Sequence, residues 1–571
     1  MRVIGIHDSH DASVCLVEDG QVLLAIEEER LSGIKNYNGF PSLALAEILK
    51  RSKFTISDID YFAVSGKHRP PVLDREAMVQ HFKNYLTIFG TSIRVARHTP
   101  IYGAYKKIAR KRREGDLKRA GIPLDKVFFV EHHLAHAAAA YFGSPWRENV
   151  LVLTCDGAGD GLCATVNIGE GNNLIRKADV PESSSIGWLY SVVTFMLGMM
   201  PIEHEYKLMG MAPYAPSKGA NKSYMVFKEL MGLSRDNSLI WRRKQGVPNT
   251  YYIFNYLREK LAFHRFDWIC AGLQRWTEEI LADWVRNCID HFKIEKVALG
   301  GGVFMNVKAN KKIAELPGLR DLFIFPSCGD ESNSIGAALW IYSQNITRAS
   351  EEAAPIGANY WGMDYSDEEM KENLLDEKSI DYNRHDDIER ETAKLLAVGE
   401  VVARFKGKME FGARALGNRS ILADPSNKNI IKIINEMVKM RDFWMPFACS
   451  VLEDRVDDYF TNPKGIKAPY MMMSFDTTEN WDQIAAGVHP YDLTVRPQVV
   501  YKAWNEDYYR LIKSFETITG RGAILNTSFN IHGEPIVGTP MAALDSFMRS
   551  GLNYLAIGNY MVQKKTRVLQ R

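Results

Sequence analysis

Two histidines stand at the spacing of a shared helix face. In EHHLAHAAAAYF, residues 131–142, His132 and His136 are four positions apart. Residues i and i+4 lie above one another on a helix. Neutral imidazoles suit borderline divalent metals, so this pair is a candidate clamp. Asp156, in the loop CDGAGDG at 155–161, and Asp330, in PSCGDESNS at 326–334, add two carboxylates. Two imidazoles and two carboxylates make a mixed N/O site with room for water or substrate. That set does not choose between iron and zinc. A lone HxxxH more often satisfies backbone carbonyls; the two acidic loops weigh against that reading here. His133, about a third of a turn round the helix, is an alternative ligand-facing residue.

Other groups could work beside this clamp. The first loop holds His7, Asp8, His10 and Asp11. His10 is a candidate base or a donor to a developing oxyanion, although turn polarity and Asx capping explain such residues too. Lys35 follows the run EEER and could neutralise phosphate, as could many surface lysines. The glycines of LGGGVFMN, Gly300, Gly301 and Gly302, permit close approach to a ligand. EHEYKLMGMAPYA at 203–215 reads as a pocket edge carrying Glu203, His204 and Lys207.

The second half carries a different chemistry. KGKMEFGARALGNRSILADP at 406–425 holds Glu410, Arg414 and Arg419; Lys439, Arg441 and Arg496 follow, then Asn526, Ser528 and Asn530 in LNTSFNIHGEPIVGTP. The planar guanidinium fork suits phosphate or carboxylate. Any one arginine is as readily a structural ion-pair partner. Their combination reads as an oxyanion site. No Walker A sequence is present, so a P-loop is not supported.

These residues need elements to hold them. Val3–Ile6, Ala12–Val17 and Gln21–Glu27 read as strands, with Glu18-Asp19-Gly20 as a hairpin turn. The pattern recurs at Val150–Thr154, Leu162–Ile168 and Asn173–Lys177, with CDGAGDG as the intervening loop. Two strand, acidic loop, strand, turn, strand units about 145 residues apart predict an internal duplication. A third strand-to-loop passage runs from Lys296–Leu299 into the glycine loop. Texture changes near 346, where Pro, Gly and small residues accumulate, so the predicted domains are 1–350 and 351–571. Within the second, a helix at Asp386–Ala397 and a strand at Val401–Phe405 are expected.

Composition narrows the class. At 571 residues the chain exceeds one hydrophobic core. Basic and acidic side chains number 71 and 69, a net charge of +2, which recruits neither nucleic acid nor membrane. The run Lys106–Lys118 reads as a solvated helix face. Seven cysteines without a CxxC pair argue against a disulfide or zinc-finger scaffold. The polar start and the lack of any run of about 18 apolar residues predict a soluble, cytoplasmic protein without a membrane partner.

HHLAHAAAAYF, CDGAGDG, EHEYKLMGMAPYA, LGGGVFMN and CGDESNSIGAA resemble the N-terminal domain of NodU/CmcH-type carbamoyltransferases, which include the tobramycin enzyme. EFGARALGNRSILADP and LNTSFNIHGEPIVGTP resemble their C-terminal domain. The resemblance spans essentially the whole chain. It implies an α/β protein with a duplicated actin/Hsp70-like N-terminal domain and a YrdC-like C-terminal domain. It further implies carbamoyladenylate formation from carbamoyl phosphate and ATP with Mg²⁺, then transfer to a small-molecule hydroxyl in secondary-metabolite or antibiotic biosynthesis.

By resemblance, His132, His136, Asp156 and Asp330 bind a metal, generally Fe²⁺. His10, Lys35 and Arg414 are then catalytic. Gly300, Gly301, Gly302, Asn306, Arg414, Lys439, Arg441, Arg496, Asn526 and Ser528 bind nucleotide and phosphate. Two departures bear on this: Met445 stands where the family often has arginine before PFA, and DLTVRPQ replaces DGTARPQ. A homodimer is the assembly the family suggests. The rival readings are N-carbamoylation, a nodulation-type oligosaccharide acceptor, tRNA or protein modification, and a non-catalytic actin-like ATP-binding module. The 216–262 segment, with Trp241, Arg242, Arg243 and Lys244, would shape an acceptor pocket or simply lie on the surface.

Overall fold

The computed structural model describes residues 1–69, 75–84, 100–346, 352–375, 377–440, 442 and 444–565. Two compact units divide the chain. The first comprises Met1–Glu28 and Asn36–Ile356; the second comprises Glu29–Lys35 and Gly357–Arg571. A short stretch of the N-terminal region therefore folds with the C-terminal unit.

The first unit contains two five-stranded sheets of the same design. One uses β1 (Arg2–His7), β2 (Ser13–Glu18), β3 (Gln21–Glu27), β4 (Tyr61–Ser65) and β5 (Val127–Val130), in the order β3-β2-β1-β4-β5. The other uses β6 (Val150–Gly159), β7 (Leu162–Glu170), β8 (Asn173–Pro181), β9 (Lys296–Gly300) and β10 (Asp321–Ile324), in the order β10-β9-β6-β7-β8. In each, the first three strands form an antiparallel meander, and the fourth and fifth run parallel to the first. This repeated order is the duplicated actin/Hsp70-like arrangement. Tight turns set the meanders. Asp19-Gly20 and Asp160-Gly161 each place two residues at positive φ, as two-residue hairpins require.

One expectation is revised here. CDGAGDG is not a free loop after Thr154. Strand β6 continues to Gly159, with a register shift between Cys155 and Gly159. The bulge turns Asp156 out of the regular ladder.

The helix His132–Gly143 follows β5, and Ser332–Asn345 follows β10. Both are buried along most of their length. Runs of small residues, Ala137–Ala140 and Gly336–Ala338, allow close helix packing.

The second unit is a mixed α/β layer around an eight-stranded sheet. Its strands are β11 (Ile380–Arg384), β12 (Val402–Phe405), β13 (Arg419–Ala423), β14 (Ala448–Leu452), β15 (Gln498–Val500), β16 (Ala523–Ser528), β17 (Tyr554–Ile557) and β18 (Tyr560–Lys564). Their order is β11-β18-β17-β12-β13-β16-β14-β15. Period-two alternation divides the core. Ile421 and Leu525 join one apolar cluster with Phe547, while their neighbours Leu422 and Ile524 join another with Leu396 and Phe515. Helices Ile388–Ala397 and Glu506–Thr519 thus cover one face, and Pro540–Arg549 the other. No described helix is long and apolar enough to cross a membrane.

Candidate metal and anion sites

The helix His132–Gly143 carries His132 and His136, β6 carries Asp156, and the passage from β10 into helix Ser332–Asn345 carries Asp330. One ligand atom from each lies within 4.8 Å of the others. His132 Nε2 is 3.3 Å from Asp156 Oδ2 and 3.4 Å from Asp330 Oδ1; His136 Nε2 is 3.3 Å from the same Asp330 oxygen. Both imidazoles are buried. The donor set fits a divalent cation: two nitrogens and two carboxylates converge, and outer groups orient them. Gly302 N–H donates to Asp156 Oδ1 at 2.9 Å, leaving Oδ2 toward the histidines.

Charge is balanced inside this cluster. Burial opposes the imidazolium at His132, but Asp330 and Asp156 outweigh it and push the group up to about 10. Burial likewise opposes charge on Asp156, yet the bond from His132 holds its carboxyl well below the usual range. Protons and a cation would compete for the same atoms, so a metal binding here would release a proton.

The first turn of the helix His132–Gly143 is held by side-chain acceptors. His133 and Leu134 N–H donate to the Glu131 carboxylate, and Ala135 N–H to the Glu131 carbonyl. His132 N–H donates to Asp160 Oδ2 at 2.9 Å, and Asp160 also accepts from Lys67 and His68 amides. The otherwise unpaired amides of His132, His133 and Leu134 are thereby satisfied. Asp160, the second aspartate of CDGAGDG, is thus a clasp. A Cβ on Gly159 would approach the His132 ring to 2.1 Å, so only glycine fits beneath it. His133 points away from the cluster: its Nδ1 is 2.8 Å from Thr154 Oγ1, and burial lowers it to about 3.

The first loop divides its work. His7 Nδ1 lies 2.6 Å from Ser65 Oγ, and Nε2 lies 3.0 Å from the His10 carbonyl oxygen and 3.8 Å from Asp330. Asp8 is taken by Arg113, which donates from Nε at 2.8 Å and from Nη2 at 2.6 Å, both residues being buried. The basic run is therefore not simply a solvated face, because Arg113 turns inward to lock the loop. His10 Nδ1 is 2.9 Å from Asp11 Oδ2. Burial opposes its charge, but Asp11, Asp330 and Glu331 push it up to about 9. The contact with Asp11 favours the protonated form of His10. Lys35 belongs to the stretch that folds with the second unit, not to the unit that holds His10.

The glycine loop has a packing reason. A Cβ on Gly300, Gly301 or Gly302 would meet the His136 carbonyl, the Cys155 carbonyl or Asp156 Oδ1 at 2.7, 2.3 and 2.9 Å. These glycines bring the loop against the elements that carry His136 and Asp156. Asn306 caps the helix Val307–Ala314 by accepting from Ala309 N–H and forms a reciprocal amide pair with Gln274, both bonds 2.9 Å. Its amide is committed to scaffold bonds, which weighs against a nucleotide contact. Further along, Glu205 accepts from Ser191 and from Ile202 N–H, and His204 accepts from Met200 N–H. Glu203 lies 3.7 Å from His204, while Lys207 N–H bonds the His204 carbonyl. Trp241 is buried, donates to the Ser184 carbonyl and packs edge-on to Trp284, so it anchors the core and does not line a pocket. Arg242 pairs with Asp236, Arg243 bonds the Val247 carbonyl, and Lys244 pairs with Glu229.

In the second unit, Lys439 is buried and donates to Ser528 Oγ at 3.0 Å, Asn530 Oδ1 at 2.6 Å and the Asn530 carbonyl at 3.1 Å. This groups Lys439 with Ser528 and Asn530. Other polar residues serve the scaffold. Glu410 Oε1 accepts from the Leu416, Asn418 and Arg419 amides, pinning the loop that carries Arg414. Arg419 donates to the Gly407, Asn418 and Met363 carbonyls and lies over Phe405; burial lowers it to about 10. Asn526 donates to Ala415, Ser450 and Gln498 within a buried network. Arg414 and Arg496 are half-buried. Arg441 lies outside the described residues. Arg30, from Glu29–Lys35, donates to the Gly412 carbonyl at 2.8 Å.

Two family models match the chain: the carbamoyltransferase N-terminus over residues 2–339 and the carbamoyltransferase C-terminus over 393–564. The chain belongs to the carbamoyltransferase family. Nodulation protein NolNO of Sinorhizobium fredii is 32% identical, covering 98% of this chain and 79% of that protein. An uncharacterized protein of Methanocaldococcus jannaschii is 33% identical, covering 99% of this chain and all of its own length. Among solved structures, full-length HypF in its phosphate- and nucleotide-bound form aligns with 60% of this chain and 55% of its own, at TM-score 0.36 and 15% identity. The fold assignment of this carbamoyltransferase rests on its repeated strand order and not on that likeness.

Proposed function

We propose that this carbamoyltransferase activates carbamoyl phosphate with ATP in its second, YrdC-like unit and transfers the carbamoyl group to a small-molecule hydroxyl in its first. The convergence of His132, His136, Asp156 and Asp330 carries this reading. Family membership supports the transfer chemistry.

Activation begins with water cleaving carbamoyl phosphate to carbamate and phosphate. A carbamate oxygen then attacks the ATP α-phosphorus, the bond to the β-phosphate breaks, and pyrophosphate leaves. Lys439 presents a buried ammonium beside Ser528, where it would balance the charge developing on transferred oxygens. Arg414, Arg441 and Arg496 are proposed as phosphate contacts, and Mg²⁺ would accompany ATP. Lys35, carried by Glu29–Lys35, is proposed to act with the second unit. Carbamoyladenylate must then reach the metal cluster without meeting bulk water, which would consume it.

In transfer, the acceptor oxygen attacks the carbamoyl carbon, the bond to the AMP oxygen breaks, and the acceptor loses its proton. A metal held by His132, His136, Asp156 and Asp330, Fe²⁺ in this proposal, would supply Lewis-acid polarisation of the carbonyl. His10 would donate a hydrogen bond to the departing phosphate oxygen, and the acceptor proton would pass to solvent. The product is a primary carbamate of a secondary-metabolite or antibiotic precursor. Mass spectrometry of ATP, carbamoyl phosphate, Mg²⁺, anaerobic Fe²⁺ and a hydroxylated acceptor library tests this. AMP, pyrophosphate and a carbamoylated acceptor are expected. Folded, metal-loaded protein that yields none of them would remove the assignment.

A further inference from the structure

Asn333 sits on the first turn of helix Ser332–Asn345, three residues after Asp330, and is wholly buried. Its Nδ2 is 3.1 Å from His136 Nε2 and 3.5 Å from Asp330 Oδ1. Its Oδ1 is buried without a hydrogen-bond partner. An amide nitrogen only donates, so in this arrangement His136 Nε2 accepts and its lone pair is used. That same lone pair is the one a metal would take. The Asn333–His136 bond and a metal–His136 bond are therefore mutually exclusive.

Loading the cluster would leave an amide N–H group aimed at a cation and an unpaired carbonyl oxygen aimed away. Rotating the amide by half a turn brings Oδ1 to the cation, and it breaks no bond of Oδ1 because Oδ1 has none. The spacing suits a ligand as well. Atoms held about 2.2 Å from one metal at right angles are about 3.1 Å apart. The Asn333 amide atom stands 3.1 and 3.5 Å from two ligand atoms, comparable with the 3.3 and 3.4 Å between the histidines and carboxylates.

We infer that Asn333 is a fifth protein ligand, which turns its amide over to present Oδ1 when a divalent metal binds. This inference rests on the metal reading above. A set of two nitrogens and three oxygens favours a five- or six-coordinate metal over the tetrahedral geometry of structural zinc. In the six-coordinate case the five protein ligands would leave one position open.

Co²⁺ serves as the probe, in the full-length protein. Titration should show Asn333→Leu binding Co²⁺ about 10- to 100-fold more weakly than the parent, the range for groups that support a metal site. Its visible absorption should shift toward the stronger bands of lower coordination. Equal affinity and an unchanged spectrum in a folded Asn333→Leu variant would overturn the inference. A crystal structure of the Co²⁺-loaded parent gives an answer that needs no variant. A metal-to-Asn333 Oδ1 distance of about 2.1 Å supports the inference, and one beyond about 3 Å overturns it. A parent protein that binds no divalent metal would instead remove the metal reading, and this inference with it.

Discussion

The two units use polar residues in opposite ways. In the first, residues distant in sequence turn their ligand atoms toward one another, with His132, His136, Asp156 and Asp330 converging within 4.8 Å. In the second, most of the polar residues that look chemical face the backbone: Glu410 collects three amides, Arg419 collects carbonyls, and Asn526 joins a buried network. Lys439 is the described residue there whose buried charge meets side-chain oxygens of Ser528 and Asn530. A periodic element such as a helix fixes where its side chains go. A glycine-rich loop does not, and its charged residues are as readily consumed in holding the loop's own shape.

Four substitutions would break or sharpen this contrast. The largest effect belongs to Asp330→Ala. Asp330 Oδ1 lies within 3.4 Å of both histidines, so its loss should weaken divalent-metal binding by more than about 100-fold, read by calorimetry. Lys439→Met should reduce carbamoyl-phosphate-dependent pyrophosphate release by about 100-fold. Metal content should stay unchanged, and a fall in it would end the separation of roles. Glu410→Ala leaves three buried amides without an acceptor and should cost about 2–4 kcal/mol in urea unfolding. An unaffected midpoint would show that the Arg414 loop holds itself.

The smallest effect concerns pH. The His10 folded-state pKa, about 9, lies above its ordinary 6.5, and 22% of the side chain is exposed. Its stabilisation is complete below pH 6.5 and is lost as pH rises through 9. His10→Gln should therefore be less stable than the parent at pH 6 by about 1–2 kcal/mol, with the gap closing by pH 10. A gap that widens with pH would contradict the His10–Asp11 pairing.

Much of the first unit was legible because its signals are periodic. The strand, acidic loop, strand repeat and the i, i+4 histidines translate directly into sheets and a helix face. Other parts were not. The inward turn of Arg113 is invisible in a run of lysines and arginines, because only the fold decides which face of that helix is covered. Asn333 carries no charge and follows Asp330-Glu331-Ser332, so it reads as an ordinary capping residue. Glu29–Lys35 joins the second unit through packing around Arg30 and Gly538, a long-range contact that no local pattern signals. Gly302 also clears Asp156, and Gly159, to which the sequence reading gave no role, clears His132.

Division of labour is the central claim, and a comparison of His136→Ala with Lys439→Met tests it most directly. Pyrophosphate and carbamoylated acceptor would be measured in the same reaction. The account predicts that His136→Ala still releases pyrophosphate when carbamoyl phosphate is supplied but yields no carbamoylated acceptor, while Lys439→Met yields neither. A His136→Ala protein that still carbamoylates the acceptor, or one that no longer releases pyrophosphate, would contradict it.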